Sequence, residues 1–122
     1  MKKYLTINEA YIYSYKFLSD LYFQNLDDDL GGFLGGMSPE IWIGENAGDE
    51  DLYNQWIISA SKISNSKKLT LKESFLTMIE FLNMQDEQYD EEWAKKLSNK
   101  LLSDRVWFKK WVNQEISKDK QC

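Results

Sequence analysis

Apolar residues recur along this chain at steps of three and four, and alternation with a period of two is scarce, so the pattern predicts a mainly helical protein. Thr6-Ile7-Asn8-Glu9 has the form of a capping box, in which a threonine hydroxyl and a glutamate carboxylate reciprocally satisfy free N–H groups at a helix start. Tyr11, Tyr15, Leu18 and Tyr22 follow on one face, widened by Ala10, Phe17 and Leu21, which predicts a first helix from about Asn8 to Gln24. Asp27, Asp28 and Asp29 can cap a short second helix with Leu30, Phe33, Leu34 and Met37 on its face. Gly31, Gly32, Gly35 and Gly36 weaken that helix, each by about 1 kcal/mol relative to Ala. Glycines so placed also suit a loop, or a point where another backbone comes close.

Ser38-Pro39 ends the segment, because the residue before a proline is pushed out of the α region. Ile41-Trp42-Ile43 then reads as a buried extended piece or short strand. Asp49 is the expected N-cap of a third helix facing inward with Leu52, Trp56, Ala60 and Ile63, and Glu50 and Asp51 in its first turn complement the helix dipole. Ser64 to Lys68 reads as a polar connector. A second capping box, Thr70-Leu71-Lys72-Glu73, opens a helix with Leu71, Phe75, Met78, Ile79 and Leu82 inward. The acidic stretch Asp86 to Glu92 punctuates it. Trp93, Leu97 and Leu101 line a further helix, and Val106, Trp107, Trp111 and Ile116 the last. The expectation is one helical domain over 1–122, a bundle of about five to six helices with a Gly-rich acidic loop region and a frayed tail at 117–122.

Leu5-Thr6-Ile7-Asn8-Glu9-Ala10-Tyr11-Ile12 matches Leu69-Thr70-Leu71-Lys72-Glu73-Ser74-Phe75-Leu76 at an offset of 64, as does Phe17-Leu18 with Phe81-Leu82. Two causes compete: a pseudo-repeat of two helical halves, or convergence, since any capped amphipathic helix needs these residue types in these places. The Gly-rich segment after the first copy has no counterpart after the second, which favours convergence.

Composition narrows the chemistry. At 122 residues and 43% hydrophobic the chain suits one domain with a sizeable core. It has no histidine, which removes the usual general base near neutral pH and the commonest metal ligand. Its one cysteine, Cys122, excludes a disulfide framework or a Cys-x-x-Cys pair. Asn8 and Glu9 interrupt any signal-peptide core, and no apolar run approaches the roughly 20 residues of a membrane span. A cytoplasmic location is expected.

Charge is distributed unevenly. Phe17 to Ser61 contains nine acids and no Lys or Arg, while the segments on either side each carry a net +2, giving −5 in all. A field of one sign over such a stretch repels nucleic acid and membrane phosphates and attracts a cationic protein.

Alternatives to protein binding fare less well. The run Asp27-Asp28-Asp29 places Gly32 sixth, as in a calcium loop, but Gly31 is fifth and Ser38 twelfth, where ligands are required. Paired carboxylates could serve glycoside hydrolysis without histidine, yet they sit at helix starts, where capping explains them. No catalytic residue, cofactor or metal ligand is assigned. Lys95, Lys96, Lys100, Arg105, Lys109 and Lys110, interleaved with Trp93, Trp107 and Trp111, could make 93–112 a nucleic-acid-associated module. Core tryptophans with a wet basic face are the simpler account, because Trp107 and Trp111 share one helix face. An interaction subunit of another complex is the remaining alternative, distinguished by which protein co-purifies. The feature hardest to dismiss is the acidic, aromatic-bearing stretch. Its candidate partner-binding residues are Asp27, Asp28, Asp29, Glu45, Asp49, Glu50 and Asp51 as a charged rim, with Trp42, Tyr53 and Trp56 as anchors.

At Asp28-Asp29-Leu30-Gly31-Gly32-Phe33-Leu34-Gly35-Gly36-Met37 the chain resembles a group of small bacterial immunity proteins of contact-dependent growth inhibition and other polymorphic toxin systems. Their pattern is similar to Asp-Asp-Leu-Gly-x-Leu-Leu-Gly-x-Met, followed by a variable loop and an acidic stretch ending in Trp, here Asp49-Glu50-Asp51-Leu52-Tyr53-Asn54-Gln55-Trp56. This chain departs from it in having Phe33 for an aliphatic residue, glycines at Gly32 and Gly36, and no proline beside Asp49. The resemblance covers about residues 5–60. It implies a stoichiometric inhibitor of a cognate toxin domain, commonly a nuclease with a basic groove, and implies that Leu30, Gly31, Leu34, Gly35 and Met37 are scaffold.

Overall fold

Helix starts in this chain are fixed by local polar groups, and the computed structural model shows how. It describes residues 4–25, 27–37 and 50–121, with the backbone alone for Asn25, Glu50 and 115–121. Strand β1 (Tyr4–Thr6) runs directly into α1 (Ile7–Asn25), followed by α2 (Asp28–Met37) and α3 (Glu50–Ile63). Strand β2 (Lys68–Thr70) runs directly into α4 (Leu71–Tyr89), followed by α5 (Glu92–Ser103) and α6 (Arg105–Gln121). The fold is mainly α. The readings for Pro39, for Ile41 to Ile43 and for the Asp49 cap lie outside the described residues, and the expected frayed tail falls largely within the backbone of α6.

Both capping boxes form with the same geometry. Thr6 N–H donates to Glu9 Oε1 at 2.9 Å and Glu9 N–H to Thr6 Oγ1 at 3.0 Å. The Thr70 and Glu73 pair repeats these bonds at 2.9 and 3.0 Å. Each strand ends on the threonine of its box, and the two pair antiparallel with Leu5 opposite Leu69; the segment 64–68, read as polar connector, contributes only Lys68. Both leucines point into the core, while their neighbours face outward. Three residues are too few for a period-two signal to stand out in the sequence.

The Gly-rich segment is helix rather than loop. Asp27 Oδ1 accepts from the N–H groups of Asp29 at 2.9 Å and Leu30 at 3.2 Å, which satisfies two free donors at the start of α2. Leu30, Leu34 and Met37 are buried on one face. A Cβ on Gly31 would lie 2.7 Å from the Tyr22 ring, so this glycine lets α2 approach α1. Phe33, the departure from an aliphatic residue, packs on Phe81 and Trp93 at 5.4 Å each and ties α2 to α4 and α5.

Helix α4 is the hub. It is buried on nearly every side, as expected of a helix apolar through most of its circumference. Its buried polar groups are internally satisfied: Thr77 Oγ1 donates to the Glu73 carbonyl at 2.8 Å, and Gln85 Nε2 donates to Gln55 Oε1 of α3 at 2.7 Å. Gln55 Nε2 in turn donates to the Tyr89 hydroxyl at 2.7 Å. Asp90, at φ 57°, closes α4 by turning its N–H back to the Asp86 carbonyl.

The core contains two aromatic trios, four of whose six rings correspond at the sequence offset of 64, while Trp56 and Trp111 are 55 positions apart. Tyr11, Phe81 and Trp56 form one, with centroids 6.2 Å (Tyr11–Phe81), 5.3 Å (Trp56–Phe81) and 5.6 Å (Tyr11–Trp56) apart. Phe75, Phe17 and Trp111 form the other, at 6.3 Å (Phe75–Phe17), 5.5 Å (Trp111–Phe17) and 5.8 Å (Phe75–Trp111). Tyr11 corresponds to Phe75 and Phe17 to Phe81, so each half lends one ring to the other's trio. Each tryptophan comes from the third helix of its half. Both halves follow the order β-α-α-α, an arrangement that accommodates either cause of the sequence match.

Candidate partner-binding surface

The three aspartates preceding and opening α2 have different jobs. Asp27 is committed to capping, whereas Asp28 and Asp29 are exposed in the first turn, where negative charge complements the helix dipole. Residues of the acidic stretch Asp86 to Glu92, read in the sequence only as punctuation, lie beside them. Asp28 and Asp29 share a hollow of about 290 Å³ with Glu91, Phe33, Gln85 and Trp93. Asp27 and Asp29 share a larger cleft, about 630 Å³, with Glu92 and Trp93 and with Lys96 and Lys100. Packing of α2 against α5 thus gathers carboxylates more than sixty positions apart in the chain. No ion pair joins Lys96 or Lys100 to these aspartates among the described residues. Glu91 accepts the indole N–H of Trp93 at 2.8 Å, which fixes both at the rim.

The second acidic cluster is less complete. Asp51 is exposed in the first turn of α3. Glu50 opens that helix, and Glu45, Asp49 and Trp42 lie outside the described residues. Tyr53 is half-buried, edge-on to Tyr11 at 5.1 Å, and burial pushes its phenol pKa above the ordinary value.

Trp56 is a correction. It is 0% exposed, and its indole N–H donates to the Ile7 carbonyl at 2.9 Å, so it is a core residue and unavailable as an anchor. Its position on the apolar stripe of α3 already carried that signal. The most exposed aromatic among the described residues, which the sequence reading passed over, is Phe23, 74% accessible near the end of α1. It lies beside the buried stripe rather than on it, and an aromatic off the stripe was the available clue.

On the opposite chemistry, Trp107 and Trp111 of 93–112 are occupied. Trp111 is buried, with its N–H on Ser74 Oγ at 3.1 Å. The ammonium groups of Lys100 and Lys110 lie 5.3 and 4.9 Å from the centroid of the Trp107 ring. Trp93 is packed on Phe33.

The aspartate run lies at and in the first turn of a helix, not in a loop that could wrap a cation. Among the described residues no group of three or more potential ligands could hold a metal ion, and no helix is long and apolar enough to cross a membrane. Comparison with protein-family models, curated proteins and solved structures returns no match.

Proposed function

We propose that this chain is an immunity protein, which binds a cognate toxin domain, cationic and of nuclease type, and neutralises it by stoichiometric occlusion. The observation that carries this reading is the convergence of Asp28 and Asp29 with Glu91, and of Asp29 with Glu92, on one face. Asp28, Asp29 and Glu92 also complement the starts of their helices, and Lys96 and Lys100 line the larger cleft, but the carboxylates outnumber the lysines, and a surplus of negative charge speeds encounter with a basic surface and suppresses wrong partners. Trp93 and Phe33 supply apolar area within the same hollow. The resemblance of the α2 sequence to immunity proteins points the same way. No catalysis is assigned to the chain; inhibition requires only that the toxin's substrate groove be covered.

The test begins with the gene beside this one, which should encode a secreted effector, and measures binding of the purified chain to that effector's C-terminal domain; a neighbour of another kind counts against the reading. A 1:1 complex is expected, with an association rate that falls as salt is raised. Asp28→Lys, Asp29→Lys and Glu91→Lys together should slow association at least tenfold at low salt and flatten its salt dependence. Unchanged association in the triple variant would remove this surface from the reading. The nucleic-acid alternative has less support, since base stacking needs open aromatic faces and those of Trp107 and Trp111 are taken by lysines and by the core.

A further inference from the structure

The two halves of the fold differ most informatively where their first and second helices meet. In the second half, α5 closes on α4 by burying Ala94, Ser98 and Leu101, and the Ser98 hydroxyl bonds to Asn83 across the interface. In the first half the described residues leave a groove of about 390 Å³ between α1 and α2. Tyr15, Tyr22 and Phe23 wall it on one side, and Gly32 and Gly35 on the other, with Asp28 toward the start of α2. Phe23 is the most exposed of the large apolar side chains described, and its neighbour Tyr22 meets it edge-on at 5.5 Å. Gly31 is explained by the Tyr22 ring, but a Cβ on Gly32 or Gly35 would meet nothing within 4 Å. Two helical glycines therefore weaken α2 with no packing requirement inside the described chain. Asp28 is the one charged side chain among the residues that line the groove, and none of them is Lys or Arg.

We infer that this groove is where the cationic partner is anchored. A Lys- or Arg-bearing segment of the toxin domain lies along α2 with its backbone close to Gly32 and Gly35, its apolar side chain against Phe23 and Tyr22, and its charge near Asp28. This rests on the immunity reading above and names the part of the surface that holds the toxin. The glycines keep a path clear for a second backbone, and the aromatics supply the buried area that slows dissociation.

The experiment compares the wild-type chain with Gly32→Ala/Gly35→Ala and with Phe23→Ala, using the same effector C-terminal domain as probe. The double alanine variant should raise Tm by roughly 5 °C or more, because nothing obstructs the added methyls and alanine favours the helix. It should at the same time lose about tenfold or more in affinity for the probe, mainly through faster dissociation, and Phe23→Ala should lose a similar amount. A double variant that is more stable and still binds like the wild type overturns the inference and leaves the immunity reading standing. A wild-type chain that does not bind the probe overturns both. Should the isolated chain be a dimer that Phe23→Ala converts to a monomer, a second copy fills the groove and the inference fails.

Discussion

The indole N–H of Trp56 donates directly to the carbonyl of Ile7 at 2.9 Å, and the second half of the molecule reproduces this bond with one hydroxyl inserted. There Trp111 donates to Ser74 Oγ at 3.1 Å, and Ser74 Oγ donates to the carbonyl of Leu71 at 2.7 Å. Ile7 and Leu71 are equivalent at the offset of 64, and Ser74 stands where the first half has Ala10. Each third helix is thereby locked to the first turn of the first helix in its own half, at the place where the capping box and the strand pair also meet. The relay explains why a serine is tolerated at full burial in α4.

Ser74→Ala should therefore destabilise the protein although it copies the residue of the other half. It leaves the buried Trp111 N–H without its acceptor, a loss of about 1–3 kcal/mol. Urea denaturation of the single variant, of Trp111→Phe and of the double variant would measure the coupling. Additive effects would show that the bond carries no energy of its own.

Trp56→Phe should lower stability by about 1–3 kcal/mol through the lost bond to Ile7 and the volume left unfilled beside Tyr11 and Phe81. Because the side chain is enclosed, the folded variant should keep wild-type affinity for the effector domain. Calorimetric titration well below the variant's Tm checks this.

Asp27 and its neighbours should separate into stability and binding effects. Asp27→Ala removes the cap of α2 and should reduce stability by about 1 kcal/mol. Asp28→Asn and Asp29→Asn leave that cap in place, so they should change thermal stability less and association with the proposed cationic partner more. Paired thermal melts and stopped-flow association rates distinguish the two.

Tyr53 gives the fold a pH dependence at the alkaline end. Burial raises its phenol pKa above the ordinary 10.0, so the unfolded chain loses this proton first. The stabilisation is complete below the ordinary value and falls as pH rises through it toward the folded value. Urea midpoints measured between about pH 9 and pH 11 should drop more steeply for the wild type than for Tyr53→Phe. Parallel slopes would exclude the phenol as the cause.

Much of the architecture was legible because it is written locally. The Thr6–Glu9 and Thr70–Glu73 boxes fix two helix starts within four residues, and the Asp27 cap needs only the two N–H groups that follow it. Periodicity then gave the extent of α1 to within a residue at each end. The strands were missed because each is three residues long and exists only through its partner 64 positions away. The candidate surface was half legible. Asp28 and Asp29 were found from the charge run, while Glu91 and Glu92 were passed over because nothing near them in the sequence says that α5 lies beside α2.

By itself, then, the sequence determined the helices, their caps and the segregation of charge, since these depend on hydrogen bonds and side-chain periods spanning a few residues. Only the tertiary structure decided which aromatics became core and which stayed exposed. Trp56 and Phe23 are both large apolar residues on amphipathic helices, and one is enclosed while the other is 74% open. The apolar stripes of α3 and α1 pointed toward both outcomes, but burial itself is set by which helices pack together, and that follows from the summed fit of both halves around α4. The same packing turned two acidic runs into one surface and, among the described residues, left a groove beside Gly32 and Gly35.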